Sequence, residues 1–221
     1  MKRRMVGRDN GPDENTMLLL HFNNYVQDST GRNLIIYAPN TFGPGKFDKA
    51  IYLNKDVVVI DKSNIRFDII DWTIDFWYMD HATPIDYRTG LFSNGGGFNW
   101  GGNAISIRIL SSDGFWRFYF NTPSWNNEKF IDIPYSSITS FTHIAMVKKG
   151  SIGRVFFNGI LKGKIGGLTT NSDQIENLVI GKWLSGYDSV SQPLVNGYID
   201  EFRISNIARW TSNFIPPTKP Y

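Results

Sequence analysis

Few residues in this chain could carry covalent chemistry, and none falls into a working pattern. Cleaving a glycosidic bond with retention needs two carboxyl groups about 5–5.5 Å apart. In a sheet that means acids at alternate positions of one strand. Asp71 and Asp75 share a face only if one strand spans both, and Trp72-Thr73 reads as the start of that strand, leaving Asp71 at its lip. Asp200 and Glu201 are adjacent, so strand alternation sends their side chains to opposite faces. The histidines are His21, His81 and His143, with no Gly-x-Ser-x-Gly elbow and no pair at metal-ligand spacing. His21 and His143 lie in strand patterns and read as satisfied core histidines, whereas His81 reads as a solvated loop residue. With no cysteine, thiolate zinc sites, thiol nucleophiles and disulfide frameworks are excluded together. No catalytic residue is assigned, and the chain reads as non-enzymatic.

Binding chemistry is better represented. A sugar is held by ring faces that stack on its C–H surface, beside amides or carboxylates that direct its hydroxyls. Three segments offer that combination: Phe98-Asn99-Trp100 with Asn103, Trp125-Asn126-Asn127, and Trp183 with Tyr187-Asp188. Trp100 sits among five glycines, with few local neighbours to bury it. Contact with a sugar, with another subunit, or with its own sandwich all remain open for it. Lys2, Arg3, Arg4 and Arg8 concentrate positive charge at the start of the chain. They read either as a solubilising arm or as one that docks on an acidic neighbour. The formal net charge is +3, so without those four the body is near neutral and does not read as a nucleic-acid binder. The early apolar run Met17-Leu18-Leu19-Leu20 is too short for a signal peptide or a membrane span.

The elements that must position these residues are strands. Aromatics make up 15% of the chain, alongside 21 Gly and 10 Pro, which favours short strands joined by tight turns. Trp72 to Tyr78 alternates at the β period, and Asn158-Gly159 between apolar stretches signals a type I′ hairpin. Gly43-Pro44-Gly45 reads as a turn, and Ala50–Leu53 and Val57–Ile60 read as strands that pair with each other. Ile207 to Trp210 could form one helical turn. The whole suits an all-β antiparallel sandwich of the jelly-roll type with roughly 12–14 strands. Its organisation is a basic arm over 1–14, a sandwich over 15–205 and an extended Pro-rich tail over 206–221 that packs on the sandwich or on a neighbour.

The order of landmarks resembles the laminin-G-like, concanavalin-A-like lectin and glucanase superfamily. They are Leu18-Leu19-Leu20-His21-Phe22, Asp28-Ser29-Thr30-Gly31, Gly45 to Leu53, Ile74-Asp75-Phe76-Trp77, Phe141 to Ala145, Phe156 to Gly159, Leu178 to Gly181 and Gly197 to Ile204. The closing Ile207-Ala208-Arg209-Trp210-Thr211 and Phe214-Ile215-Pro216-Pro217-Thr218 are similar to a subgroup common in tailed-bacteriophage virion proteins. The resemblance implies a virion surface or accessory protein, a head decoration or a tail-associated adhesin, made in the host cytoplasm. Its partners would be other virion proteins, further copies of itself, and a host or environmental glycan, with no membrane insertion. It also implies a candidate structural calcium at Asp200, with Asp28 as a second ligand. Glycan-hydrolysing relatives carry Glu-x-Asp-x-x-Glu, which this chain lacks. A free-standing carbohydrate-binding module, calcium-dependent or not, stays open as an alternative, and a glycoside hydrolase as a third.

Overall fold

The computed structural model describes residues 11–54, 56–61, 65–81, 89–94, 105–121, 128–170, 177–182 and 195–221. Fifteen strands are present among them. In chain order they are β1 (Thr16–Leu20), β2 (Ile35–Tyr37), β3 (Phe42–Pro44), β4 (Lys49–Asn54), β5 (Val58–Asp61), β6 (Trp72–Asp80), β7 (Thr89–Ser93) and β8 (Ser106–Leu110). There follow β9 (Phe115–Asn121), β10 (Lys129–Pro134), β11 (Thr142–Lys149), β12 (Ile152–Phe157), β13 (Ile160–Ile165), β14 (Leu178–Ile180) and β15 (Asn196–Ser205). Every pairing is antiparallel, and no helix among the described residues is long and apolar enough to cross a membrane.

Two sheets form. The first runs β13-β12-β11-β6-β15-β4-β3, with β1 also paired to β15; the second runs β10-β9-β8-β7-β14-β5-β2. Between them lies one core in which alternate residues of each strand meet. Trp72, Ile74, Phe76 and Tyr78 of β6 enter it, while Thr73, Asp75 and Trp77 face outward from the sandwich. Aromatic contacts cross it: Trp72 stacks on Phe120 at 5.7 Å and Phe76 on Phe202 at 5.5 Å.

Strand β15 has β6 along one edge and two partners in succession along the other. Asn196–Ile199 pairs with β4, and Phe202–Ser205 pairs with β1. A bulge falls at this seam: Asp200 stands opposite Trp77 and Arg203 opposite Asp75, with Glu201 at φ 53° between them. An extra residue in one strand, with local left-handed backbone, is what a bulge requires.

Several expectations are corrected. Phe42–Pro44 is a strand, not a turn; as the outermost strand of its sheet it tolerates a proline that has no N–H to give. Strand β10 went unread. The neighbours β4 and β5 do not pair but lie in different sheets. Residues 207–210 form no helical turn. At the β12–β13 turn, Asn158 and Gly159 both have positive φ (48° and 74°), as type I′ geometry demands. The tail crosses this turn: Phe214 N–H donates to the Gly159 carbonyl at 2.9 Å, and a Cβ on residue 159 would come within 1.9 Å of the Phe214 carbonyl oxygen.

Candidate functional site

Among the described residues, the outer face of the first sheet carries a dense group of ionisable side chains. Arg203 clasps Asp75 with two hydrogen bonds, Nε to Oδ1 at 3.1 Å and Nη2 to Oδ2 at 2.9 Å. His143 Nε2 lies 3.3 Å from Asp75 Oδ2 and 2.9 Å from the Tyr221 hydroxyl, which donates to the same carboxylate. The Tyr221 amide donates to Glu201 Oε2 at 2.8 Å, and His21 Nδ1 lies 2.7 Å from Glu201 Oε1. Burial pushes the Asp75 carboxyl up, but the Arg203 charge and the His143 contact outweigh it and hold it well below the ordinary carboxylate range. The hydrogen bond to Glu201 raises His21 above its ordinary value. The stability this pair adds is therefore complete below the ordinary histidine value and is lost as pH rises through the raised one.

Residues of the tail close the group. Trp210 and Phe214 stack at 4.0 Å and meet the His143 ring edge-on, and the Arg203 guanidinium lies 3.6 Å above the Tyr221 ring. Trp210 and Phe214 also cover Ala145, Val147 and Phe156. Glu201 reaches this face only because of the bulge, which overturns the expectation that Asp200 and Glu201 point to opposite sides. His143 is buried and partnered, but on the outer face rather than in the core. His21 lies just past β1, on the same face. Asp71 stays at the strand lip, where it accepts from the Gly150 amide at 2.8 Å.

Asp200 occupies the seam. Its Oδ2 accepts from the Phe47 amide at 2.9 Å, and its buried Oδ1 has no partner among the described residues. Burial pushes its carboxyl up to about 7, with the Glu201 charge adding to the shift. A raised acid favours the fold while protonated, so stability falls as pH climbs from the ordinary value of 3.8 through about 7. Asp200→Asn mimics the protonated acid. It is expected to be nearly neutral near pH 4 and to stabilise by on the order of 2 kcal/mol at about pH 8. Urea midpoints at the two pH values check this, and an equal change at both would show that Asp200 is charged throughout.

Asp28 is engaged elsewhere. Its Oδ1 accepts from the Leu19 and Thr30 amides at 3.2 and 3.1 Å, and its Oδ2 accepts from the Thr30 hydroxyl. No described contact joins it to Asp200.

The sugar-type residues Phe98, Asn99, Trp100, Asn103, Trp125, Asn126, Trp183 and Tyr187 lie outside the described residues, as do Lys2, Arg3, Arg4 and Arg8. Their anchors are described. Ser93 pairs with Ser106, Ser106 with Tyr119, and Asn121 with Lys129, so the connections 95–104 and 122–127 leave the same end of the second sheet. Asn94 fastens the first of these at its base: its amide donates to the Ile105 carbonyl at 3.1 Å, and its Oδ1 accepts from the Ile105 amide at 2.8 Å. The connection carrying Trp183 and Tyr187 departs in the other direction, from Gly181 beside Leu91. It returns at Val195, whose amide donates to the Gly181 carbonyl.

Residues 54–212 fit the family described as the concanavalin A-like lectin/glucanases superfamily. The chain belongs to that superfamily. Among solved structures, this superfamily sandwich resembles the binding domain of Paraclostridial Mosquitocidal Protein 1 (18% identity, TM-score 0.68, 88% of this chain and 49% of that one). It also resembles the binding domain of botulinum neurotoxin DC in complex with SialylT (14%, 0.64, 88% and 48%). A third is the binding domain of botulinum neurotoxin serotype D (12%, 0.67, 88% and 49%). The chain spans about half the length of these structures, and at such identity the likeness is one of fold. No curated protein matches it.

Within this superfamily sandwich, a cation at Asp200 is compatible with one feature, the unpartnered buried Oδ1. The described residues contain no group of three or more His, Asp or Glu able to hold a metal. Asp200 would be the side-chain ligand, and the six to eight oxygens calcium takes would come mainly from main-chain carbonyls and water. Asp28 accepts from Leu19 of β1 and from Thr30.

Proposed function

We propose that the chain is a non-enzymatic, lectin-like module that binds glycan and serves as a surface component of a phage particle, as head decoration or tail-associated adhesin. The observation that carries the binding reading is that three buried acids on the described strands, Asp75, Asp80 and Glu201, already have fixed partners. Asp75 is held by Arg203, and Glu201 by His21 and the Tyr221 amide. Asp80 accepts from the Ile138 amide at 2.6 Å and the Tyr78 hydroxyl at 2.7 Å. A hydrolase needs a facing pair of carboxyls open to substrate; binding needs only aromatic and amide groups on a rigid frame. Solved structures of the same fold include binding domains, one of them in complex with SialylT, which supports the reading at the level of fold.

The role on the particle rests on the closing sequence motifs and the basic arm. Because Trp210, Phe214 and Tyr221 contact their own sandwich, Lys2, Arg3, Arg4 and Arg8 are the residues this reading assigns to neighbouring subunits. Hydrogen exchange should protect the first residues in the assembled particle and not in the free protein. Equal exchange in both states counts against a docking arm.

A glycan array on the isolated protein, run beside a hydrolysis assay on each bound glycan, tests the binding reading. Capture without turnover is the expected result, and turnover would reassign the protein as a glycosidase. Trp100→Ala is expected to keep the melting temperature and to weaken glycan capture about tenfold, the scale of one lost ring contact. The unpartnered Asp200 oxygen favours a calcium-dependent form of the same module, which a rise in melting temperature on adding calcium would reveal.

A further inference from the structure

The outer face of the first sheet is covered in two places by the chain itself. The tail lies over His143 and Ala145. Next to it, the Lys46–Phe47 segment lies over Trp77, with the Phe47 ring edge-on at 5.9 Å and the Lys46 ammonium 4.4 Å above the indole. Beyond that segment, toward the start of β15, the same face carries Tyr52 of β4 and Tyr198 of β15. They stand directly opposite each other in register, with their rings stacked at 4.9 Å and 26°. His81, just past β6, meets both rings edge-on at 4.8 and 5.5 Å. Both tyrosines are half-buried and His81 is exposed.

The cluster is held rigidly. The Tyr52 hydroxyl donates to Asn196 Oδ1 at 3.0 Å, and the His81 amide donates to the Asn196 carbonyl at 3.1 Å. The Tyr198 ring lies against Gly43, where a Cβ would come within 2.4 Å of a ring carbon, so only glycine lets the ring settle there. Three of the residues stand on paired strands, which fix side chains better than loops do.

Among the described residues, the Tyr198 hydroxyl, the Asn196 amide nitrogen and the His81 ring nitrogens make no hydrogen bond. No described cation lies on these rings, and Asp80, next to His81 in sequence, is taken up by Tyr78 and Ile138. Aromatic faces beside uncharged donors and acceptors are the chemistry that recognises a neutral sugar ring, whose C–H groups stack while its hydroxyls hydrogen-bond.

We propose that Tyr52, Tyr198, His81 and Asn196 form a subsite for one neutral hexopyranose unit of a glycan. It rests on the glycan-binding reading above and names a place for it that the sequence did not mark.

The test is an aromatic ¹H–¹³C titration of the whole chain with the methyl glycosides of glucose, galactose and mannose and with neutral disaccharides of each. Saturable shifts at Tyr52, Tyr198 and His81 are expected with at least one of them. Tyr198→Ala should weaken that sugar about tenfold, the scale of one lost ring contact. His81→Ala, which removes an exposed ring and leaves the fold untouched, should weaken it about threefold. The His81 variant decides the matter if Tyr198→Ala fails to fold. Binding that survives both variants, or that Trp100→Ala alone abolishes, overturns this subsite and leaves the glycan reading standing. A blank titration together with a blank array overturns both.

Discussion

Asp75→Ala is expected to destabilise the sandwich by about 3–5 kcal/mol, the range seen when one partner of a buried ion pair is removed. The reason is geometric. Asp75 accepts from two Arg203 nitrogens and from the Tyr221 hydroxyl, and it is fully buried. Its loss leaves a guanidinium, an imidazole and a phenol facing one another with no carboxylate to accept from them. Asp75→Asn keeps the shape but cannot accept as an anion, so it should recover only part of the loss. Urea melts at neutral pH measure both variants. The wild-type contribution has a defined pH window: the carboxyl is held below its ordinary value of 3.8, so the stability it adds is present above that value and lost on acidification. An Asp75→Ala midpoint within experimental error of wild type would mean that Arg203 and His143 find solvent or other partners, and that the tail is not fixed through them.

Removing residues 206–221 is expected to cost about 4 kcal/mol or more, since one large side chain moved from a buried to an exposed position accounts for roughly 1.5–3 kcal/mol and several are affected. The deletion strips Trp210, Phe214 and Tyr221 from the outer face and uncovers Ala145, Val147 and Phe156. It also takes away the amide that donates to Glu201. Beyond the lower midpoint, the newly opened apolar patch should drive self-association, visible as an earlier elution volume. Tyr221→Phe separates the two effects: it keeps the ring on Arg203 and deletes only the hydroxyl, for a loss of about 1–2 kcal/mol. A deletion that stays monomeric with an unchanged midpoint would show that the tail rests on the sheet without stabilising it.

The sandwich was legible because its signals are local. Alternation from Trp72 to Tyr78 and the Asn158-Gly159 turn each declare themselves within a few residues. Strand β3 was hidden by its glycine and proline, whose turn preference yields to an edge position that sequence does not display. The pairing of β4 with β5 was misjudged because proximity in sequence favours hairpins, whereas here the chain crosses between sheets. The polar cluster could not be read at all: Asp75 meets His143, Arg203 and Tyr221 across sequence separations of 68, 128 and 146. One clue was present. Ile199 and Phe202 both enter the core, although strict alternation would put residues three apart on opposite faces. That spacing marks the bulge, and with it the turning of Asp200 and Glu201 to one side of the sheet. The Tyr52–Tyr198 pair was invisible for the same reason as any cross-strand pair: nothing in either strand announces its partner's register.

The clasp at Asn94 has an evolutionary corollary. One residue ties both strand ends at the mouth of the connection, through its main chain and its side chain. Strand register is thereby insulated from whatever is threaded between residues 94 and 105. Doubling the length of a flexible insert adds only about 0.6 kcal/mol of closure entropy, so the intervening stretch can be rewritten or lengthened while the framework stays in step. Such a molecule is a ready chassis: new specificities can be spliced in at one address, by natural variation or by library design, without renegotiating the fold.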